Sequence, residues 1–285
     1  MSRVAYVNGR YLPHNAASVH IEDRGYQFAD GVYEVCAVRA GELIDEESHA
    51  ARLKRSLKEL RITPPVNEAA LAHIMRETVR LNHVCDGLVY LQITRGVARR
   101  DHGFPAQAKP ALVVTARNMA MEKFEATAKI GVAARTMPET RWARCDIKSV
   151  SLLPNVLAKQ AAREAGAYEA WFVDDDGFVT EGSSTTAWIV DASGVLRTRQ
   201  LDHHILPGVT RGELLPMCRQ LGIEAAERPF TVAEAKAARE AFITAATVGV
   251  IPVVRIDGSA IGDGNPGPVA QKLRAAYWAS RADEP

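Results

Sequence analysis

Apolar and polar positions alternate from the start of the chain. Val4-Ala5-Tyr6-Val7 and Arg10-Tyr11-Leu12 flank Asn8-Gly9, which suits the type I′ turn of a hairpin because both residues tolerate positive φ. Val32 to Val38 is β-branched and aromatic and predicts a strand, with Glu42-Leu43-Ile44 as its partner across Gly41. The period then changes. Leu53, Leu57 and Leu60 recur at helical spacing behind Ser48, which can cap the helix. Pro64-Pro65 breaks the chain, and Asn67 caps a second helix that reaches Asn82. Leu88 to Thr94 and Ala111 to Thr115 return to a strand pattern.

The segment Asn118 to Ala126 has little regular pattern and reads as a linker, and Ala128 to Ala134 alternates like a strand. Asn155 to Ala165 is Ala-rich and helical, stopped by Gly166. Tyr168 to Val173 and Phe178-Val179 flank Asp174-Asp175-Asp176-Gly177, a hairpin turn. Thr185 to Val190, Val195 to Thr198, Ala241 to Ala245 and Ile251 to Ile256 predict strands, and Val209 to Leu221 and Val269 to Trp278 predict helices. Strands and helices do not alternate in strict βαβ order. That predicts an α+β chain of two α/β lobes, not a doubly wound sheet: one lobe over residues 1–118, a linker over 119–126, and a second lobe over 127–285.

Composition narrows the function classes. With 285 residues, 47% apolar and 24% charged, the chain is globular and neither disordered nor a coiled coil. Lys plus Arg is 35 and Asp plus Glu is 34, a balance that argues against nucleic acid or an anionic membrane as the main partner. No apolar run is long enough for a membrane span, and Met1 to Tyr6 lacks the apolar core of a signal peptide. Cys36, Cys85, Cys145 and Cys218 lie far apart, without a metal-ligand or redox spacing. A cytoplasmic protein with reduced thiols is expected. Only nine of the 35 cations are lysines, so amine chemistry has few candidates.

Some motifs fail on context. Gly262-Asp263-Gly264-Asn265-Pro266-Gly267 matches a dinucleotide fingerprint, but only 18 residues follow it, too few for the βαβ unit it must open. Asp174 to Asp176 lacks the spaced ligands of a calcium loop. His203-His204 has no third ligand at a useful spacing, so no metal is expected.

Four places could carry chemistry. Lys148 has Ile147 and Val150 beside it, and a desolvated amine becomes a nucleophile or Schiff-base former. Glu181 opens an apolar strand and could keep a ring nitrogen protonated. Leu206-Pro207-Gly208-Val209-Thr210-Arg211 leads into a helix whose free N–H groups suit a phosphate. Arg100 and His102 could grip a carboxylate. Taken singly, each also has an ordinary reading: a surface lysine, a strand-end glutamate, a loop-to-helix junction, two solvated charges.

Together they change the picture. Arg24-Gly25-Tyr26-Gln27-Phe28-Ala29-Asp30-Gly31-Val32-Tyr33-Glu34-Val35 resembles the N-terminal signature of fold-type IV pyridoxal-phosphate enzymes, and most closely their D-amino-acid aminotransferases. The likeness continues in family order through His49-Ala50-Ala51-Arg52-Leu53, Thr94-Arg95-Gly96, Asp146-Ile147-Lys148-Ser149, Asn155-Val156-Leu157-Ala158-Lys159-Gln160, Thr180-Glu181-Gly182-Ser183-Ser184 and Leu206 to Arg211.

The resemblance implies two α/β lobes with pyridoxal 5′-phosphate in the cleft between them, and a homodimer. Lys148, in the second lobe, would form the Schiff base and act as the catalytic residue. Glu181 would pair with the pyridine nitrogen. Arg52, the N–H groups of Val209 and Thr210, and Thr247 would hold the phosphate. Tyr33, with Arg100 and His102 from the partner subunit, would bind the substrate carboxylate. The implied reaction is ping-pong transfer of an amino group from D-alanine or other D-amino acids to 2-oxoglutarate. Branched-chain aminotransferases, the L-specific relatives, usually carry tyrosine where this chain has Leu153. That enzyme and aminodeoxychorismate lyase are the alternatives within the fold.

Overall fold

The computed structural model describes residues 3–282, which divide into two compact units. The first comprises residues 3–121 with Ile147–Ser151, and the second Glu122–Asp146 with residues 152–282.

The first unit opens with the hairpin of β1 (Val4–Val7) and β2 (Arg10–Pro13). Its turn residues Asn8 and Gly9 take φ values of 47° and 97°, as a type I′ turn requires. The Asn8 side chain also accepts the N–H of Leu112 at 2.8 Å, which ties the turn to the sheet. Then follow α1 (Arg24–Phe28), β3 (Gly31–Arg39), β4 (Glu42–Leu43), α2 (Glu46–Glu59), α3 (Glu68–Leu81), β5 (Gly87–Thr94) and β6 (Ala111–Asn118). The strands form one antiparallel sheet in the order β2-β1-β6-β5-β3-β4. Val32, Cys36 and Val38 of β3 and Leu91 and Ile93 of β5 share a core with Leu53 and Leu57 of α2 and with Ile74, Met75 and Val79 of α3. Asn67 caps α3, accepting the N–H of Ala70.

Two readings near these elements are corrected. Ser48 lies inside α2, which starts at Glu46 behind Asp45. The two glutamates of the first turn meet the helix's positive end there, a local signal that leucine spacing does not carry. The segment of Lys148 belongs to the first unit rather than to the second lobe. Ile147 is buried in the first unit's core, and residues 148–150 pair with β3.

The second unit contains α4 (Met121–Ile130, whose first residue closes the first unit), β7 (Val132–Pro138), α5 (Leu153–Glu164), β8 (Glu169–Val173), β9 (Val179–Gly182), β10 (Thr186–Val190), β11 (Leu196–Thr198), α6 (Val209–Gln220), β12 (Ala225–Glu227), α7 (Val232–Lys236), β13 (Glu240–Ala245), β14 (Gly249–Ile256), β15 (Ser259–Ala260) and α8 (Pro268–Ala282). Its mixed sheet runs β12-β11-β10-β13-β14-β7-β8-β9, with β15 on β14. Both faces are covered. Ala187, Ile189, Ala241 and Ile243 pack into a core with Phe230 and Ala235. The intervening Trp188, Val190 and Phe242 meet Leu214 of α6 and Leu273 and Tyr277 of α8. Strands buried on both sides read as continuous apolar runs, as β10 and β13 do.

The expected linker is a helix, α4, in which Ala128 is buried and Phe124 packs on the core. The expected strand over Ala128 to Ala134 therefore starts only at Val132. Gly131, at φ 74°, ends the helix and releases the chain into β7.

The hairpin joining β3 and β4 repeats the first one with a poorer residue. Ala40 takes φ 49° ahead of Gly41 at 86°, although alanine disfavours that region. Ala40 is exposed. Ala40→Asn should therefore stabilise the protein by about 0.5–1 kcal/mol, read as a higher urea midpoint at an unchanged slope.

Candidate active site

The predicted site residues fall into two sets, one in each unit. In the first unit the organising element is β3. Its alternation turns Val32, Glu34, Cys36 and Val38 to the buried face and leaves Tyr33 and Val35 half-buried. β4 covers β3 only at Val38 and Arg39, so the edge at Gly31 to Tyr33 is open to another strand. Residues 148–150 take that edge. Tyr33 N–H donates to the carbonyl of Lys148 at 3.0 Å, and Val150 N–H to that of Gly31 at 3.1 Å. The Lys148 N–H reaches the buried Ser56 hydroxyl of α2 at 3.3 Å. Its side chain is half-buried, with Nζ 4.4 Å from the centre of the Tyr33 ring. The Tyr33 ring in turn stacks on Tyr90, with centroids 5.8 Å apart.

Beside this amine lies a buried charge cluster that periodicity alone did not single out. Glu34 is 1% exposed. It receives Arg52 Nε and Nη2, both at 2.7 Å, and lies 2.8 Å from His49 Nδ1. Burial by itself would raise the Glu34 pKa. The Arg52 charge and the hydrogen bonds from Arg52 and His49 overcome that, helped by the Lys148 charge, and hold it at about 2. The signal was available in the sequence. A carboxylate on the apolar face of a strand must find a partner, and His49 and Arg52 share the α2 face that buries Leu53 and Leu57.

Arg100 and His102 are exposed and lie in the loop after β5. They gather around Phe28, with the Arg100 guanidinium carbon 4.6 Å from that ring's centroid and the His102 ring 5.4 Å away.

In the second unit Glu181 lies in β9 and is 6% exposed. Its carboxylate accepts the backbone N–H of Leu206 at 3.1 and 3.2 Å and the Nη1 of Arg141. Arg141 also donates Nε and Nη2 to Glu139 at 2.9 and 2.6 Å. Burial works against the Arg141 charge, but Glu139 and Glu181 more than offset it and raise its pKa. Arg141 is thus shared between two carboxylates, Glu139 and Glu181. No sequence signal marked Glu139 or Arg141, which lie in the irregular segment after β7.

Val209 and Thr210 open α6 behind Gly208, and no side chain caps that end. Thr210 is 2% exposed and its hydroxyl has no hydrogen-bond partner. A Cβ at Gly208 would stand 2.8 Å from the Thr186 hydroxyl, so glycine is what lets the chain enter the helix here. Uncapped N–H groups with a buried orphan hydroxyl suit a phosphate. Thr247 sits half-buried in the turn between β13 and β14. Of the pair His203-His204, His203 Nδ1 lies 3.2 Å from Asp146, while the His204 backbone N–H is held by Asp202.

The first unit thus carries a half-buried amine on a strand edge, and the second carries a buried carboxylate and a helix start without a side-chain cap. The family model for class IV aminotransferases matches residues 31–256. The chain is 43% identical to a D-alanine aminotransferase of Bacillus licheniformis over 277 residues, 97% of this chain and 96% of that one. It is 36% identical to a D-alanine aminotransferase of Staphylococcus haemolyticus over 95% of both chains. Among solved structures, it matches the branched-chain aminotransferase of the thermophilic archaeon Thermoproteus uzoniensis, at a TM-score of 0.86 and 26% identity over 98% of this chain and 94% of that one. The chain thus belongs to the class IV aminotransferases, which depend on pyridoxal 5′-phosphate, and within them to the D-amino-acid aminotransferases. Among the described residues no helix is long and apolar enough to cross a membrane.

Glu34→Gln should lower stability at neutral pH by about 3 kcal/mol, because it leaves the buried Arg52 charge unpaired. The sign with pH follows from the depressed pKa. Glu34 titrates at about 2 in the folded protein and at the ordinary 4.5 in the unfolded chain. Its contribution is complete above 4.5 and fades as pH falls toward 2. Urea unfolding of both proteins at pH 6, 4 and 3 should show the gap between them narrowing with acid.

Proposed function

We propose that the chain transfers the amino group of D-alanine and other D-amino acids to 2-oxoglutarate, giving pyruvate and D-glutamate by a ping-pong mechanism. The structural observation that supports this best is the Lys148 amine, held by β3 over the Tyr33 ring. The choice of substrates follows the near full-length likeness to D-alanine aminotransferases.

Pyridoxal 5′-phosphate, when bound, supplies an aldehyde for the amino group and a ring that draws electrons from the Cα–H bond. Lys148 would hold the cofactor through its side-chain amine, and the same amine would serve as base and acid for the substrate Cα proton. Glu181, beside Arg141, would pair with the ring nitrogen. Arg52, the N–H groups of Val209 and Thr210, and Thr247 would hold the phosphate. Tyr33, Arg100 and His102 receive the substrate carboxylate and so decide which face of Cα meets the lysine. Handedness is a matter of where that carboxylate is anchored. Leu153, where the L-specific relatives usually carry tyrosine, supports the D-specific reading. We further propose a cytoplasmic homodimer in which Arg100 and His102 serve the partner's site.

The test is a coupled assay. D-alanine with 2-oxoglutarate should yield pyruvate, and Lys148→Ala should lower turnover by roughly 10²–10⁴-fold or more. Turnover of L-leucine or L-valine without any of D-alanine would contradict the proposal.

A further inference from the structure

The loop that carries Arg100 and His102 is held by aromatic faces. Phe28, the last residue of α1, presents its ring to three groups. The guanidinium carbons of Arg24 and Arg100 stand 4.9 and 4.6 Å from its centroid, and the His102 ring lies 5.4 Å away at 56°. Arg24 also donates Nη1 to the carbonyl of Asp101, between the two, at 2.6 Å. Two residues after His102, Phe104 covers Arg95, whose guanidinium carbon is 3.7 Å from the ring centroid.

The arginines of this cluster are used in two different ways. Arg24 and Arg95 give their N–H groups to Asp30 and to backbone carbonyls, Arg24 through Nε at 2.8 Å and Arg95 through Nε and Nη2 at 2.8 and 3.0 Å. Their donors are consumed in holding the fold. Arg100 is different. Among the described residues no carboxylate pairs with it, and its contact is with the face of Phe28. A contact with the face of a ring leaves N–H groups of the guanidinium available to other acceptors. An exposed arginine otherwise samples many rotamers, and ordering it on binding costs conformational entropy. A ring beneath it restricts that sampling without occupying a single donor.

We propose that Phe28 is a positioning residue for substrate carboxylates, holding Arg100 and His102 in place so that their donors face an incoming amino or 2-oxo acid. This rests on the reading of Arg100 and His102 as the carboxylate grip. Phe28 acts on binding, not on proton transfer. Its loss should therefore appear in KM and not in kcat.

The experiment compares Phe28→Leu, Phe28→Met and Phe28→Tyr with Arg100→Gln and His102→Gln, all as cofactor-loaded enzymes. Thermal melting and the visible absorbance of the bound cofactor check that each is intact. Phe28→Leu and Phe28→Met should raise KM for both D-alanine and 2-oxoglutarate about tenfold, the range of a stacked cation–π contact, with kcat changed less than about threefold. Phe28→Tyr keeps the ring face and should retain the parental KM. If Arg100→Gln or His102→Gln raises KM while the leucine and methionine variants do not, the role of Phe28 is overturned and the grip stands. If neither Arg100→Gln nor His102→Gln moves KM, the grip itself is wrong. A fall in kcat with KM unchanged, or a tyrosine variant as impaired as the leucine one, also overturns the proposal.

Discussion

A carboxylate on the apolar face of a strand is the constraint around which the first unit is organised. Glu34 interrupts the row formed by Val32, Cys36 and Val38, and a buried charge is tolerated only if it is paired and hydrogen-bonded. Arg52 and His49 supply both from one face of α2. The helix is therefore set against β3 by a directional contact, while Leu53 and Leu57 contribute non-directional burial. The same helix offers Ser56 to the backbone of Lys148. One strand and one helix thus fix the guanidinium proposed to meet the phosphate and the backbone that carries the amine proposed to react.

The second unit solves a different problem. Its sheet is covered on both faces, so the central strands β10 and β13 are mostly apolar and their polar residues lie toward the strand ends. Glu181 stands at such a place, held by the Leu206 N–H and by Arg141. Glu139 shares the same guanidinium. A second polar hub gathers hydroxyls on one carboxylate. Glu169, fully buried in β8, collects Ser184, Thr185 and Lys159 at 3.0 to 3.1 Å, together with the Ser183 hydroxyl, and so rigidifies the turn that follows Glu181.

Much of this could be read from the residues. The turn at Asn8-Gly9, the cap at Asn67 and the strands on either side of Asp174 to Gly177 follow from local chemistry that tertiary contacts do not override. The misreadings share a cause. α4 looked patternless because it buries little beyond Ala128, and a weakly amphipathic helix has no stripe to detect. The place of Lys148 was misread because the chain crosses back into the first unit for five residues, Ile147–Ser151. That excursion depends on an open strand edge, which local pattern cannot show. Likewise, Lys148 and Glu181 are singled out by their resemblance to family motifs, whereas the pairing of Glu139 with Arg141 and the contacts of Phe28 come only from three-dimensional packing.

If Lys148 and the residues assigned to the carboxylate make this a transaminase for D-amino acids, the donor half of the reaction must run without any acceptor. Cofactor-loaded enzyme mixed with excess D-alanine alone should release about one equivalent of pyruvate per subunit and then stop, with the visible absorbance of the bound cofactor lost in step. L-alanine should leave that absorbance unchanged. Continued pyruvate release beyond one equivalent in the absence of a 2-oxo acid, or a full response to L-alanine with none to D-alanine, would contradict the assignment.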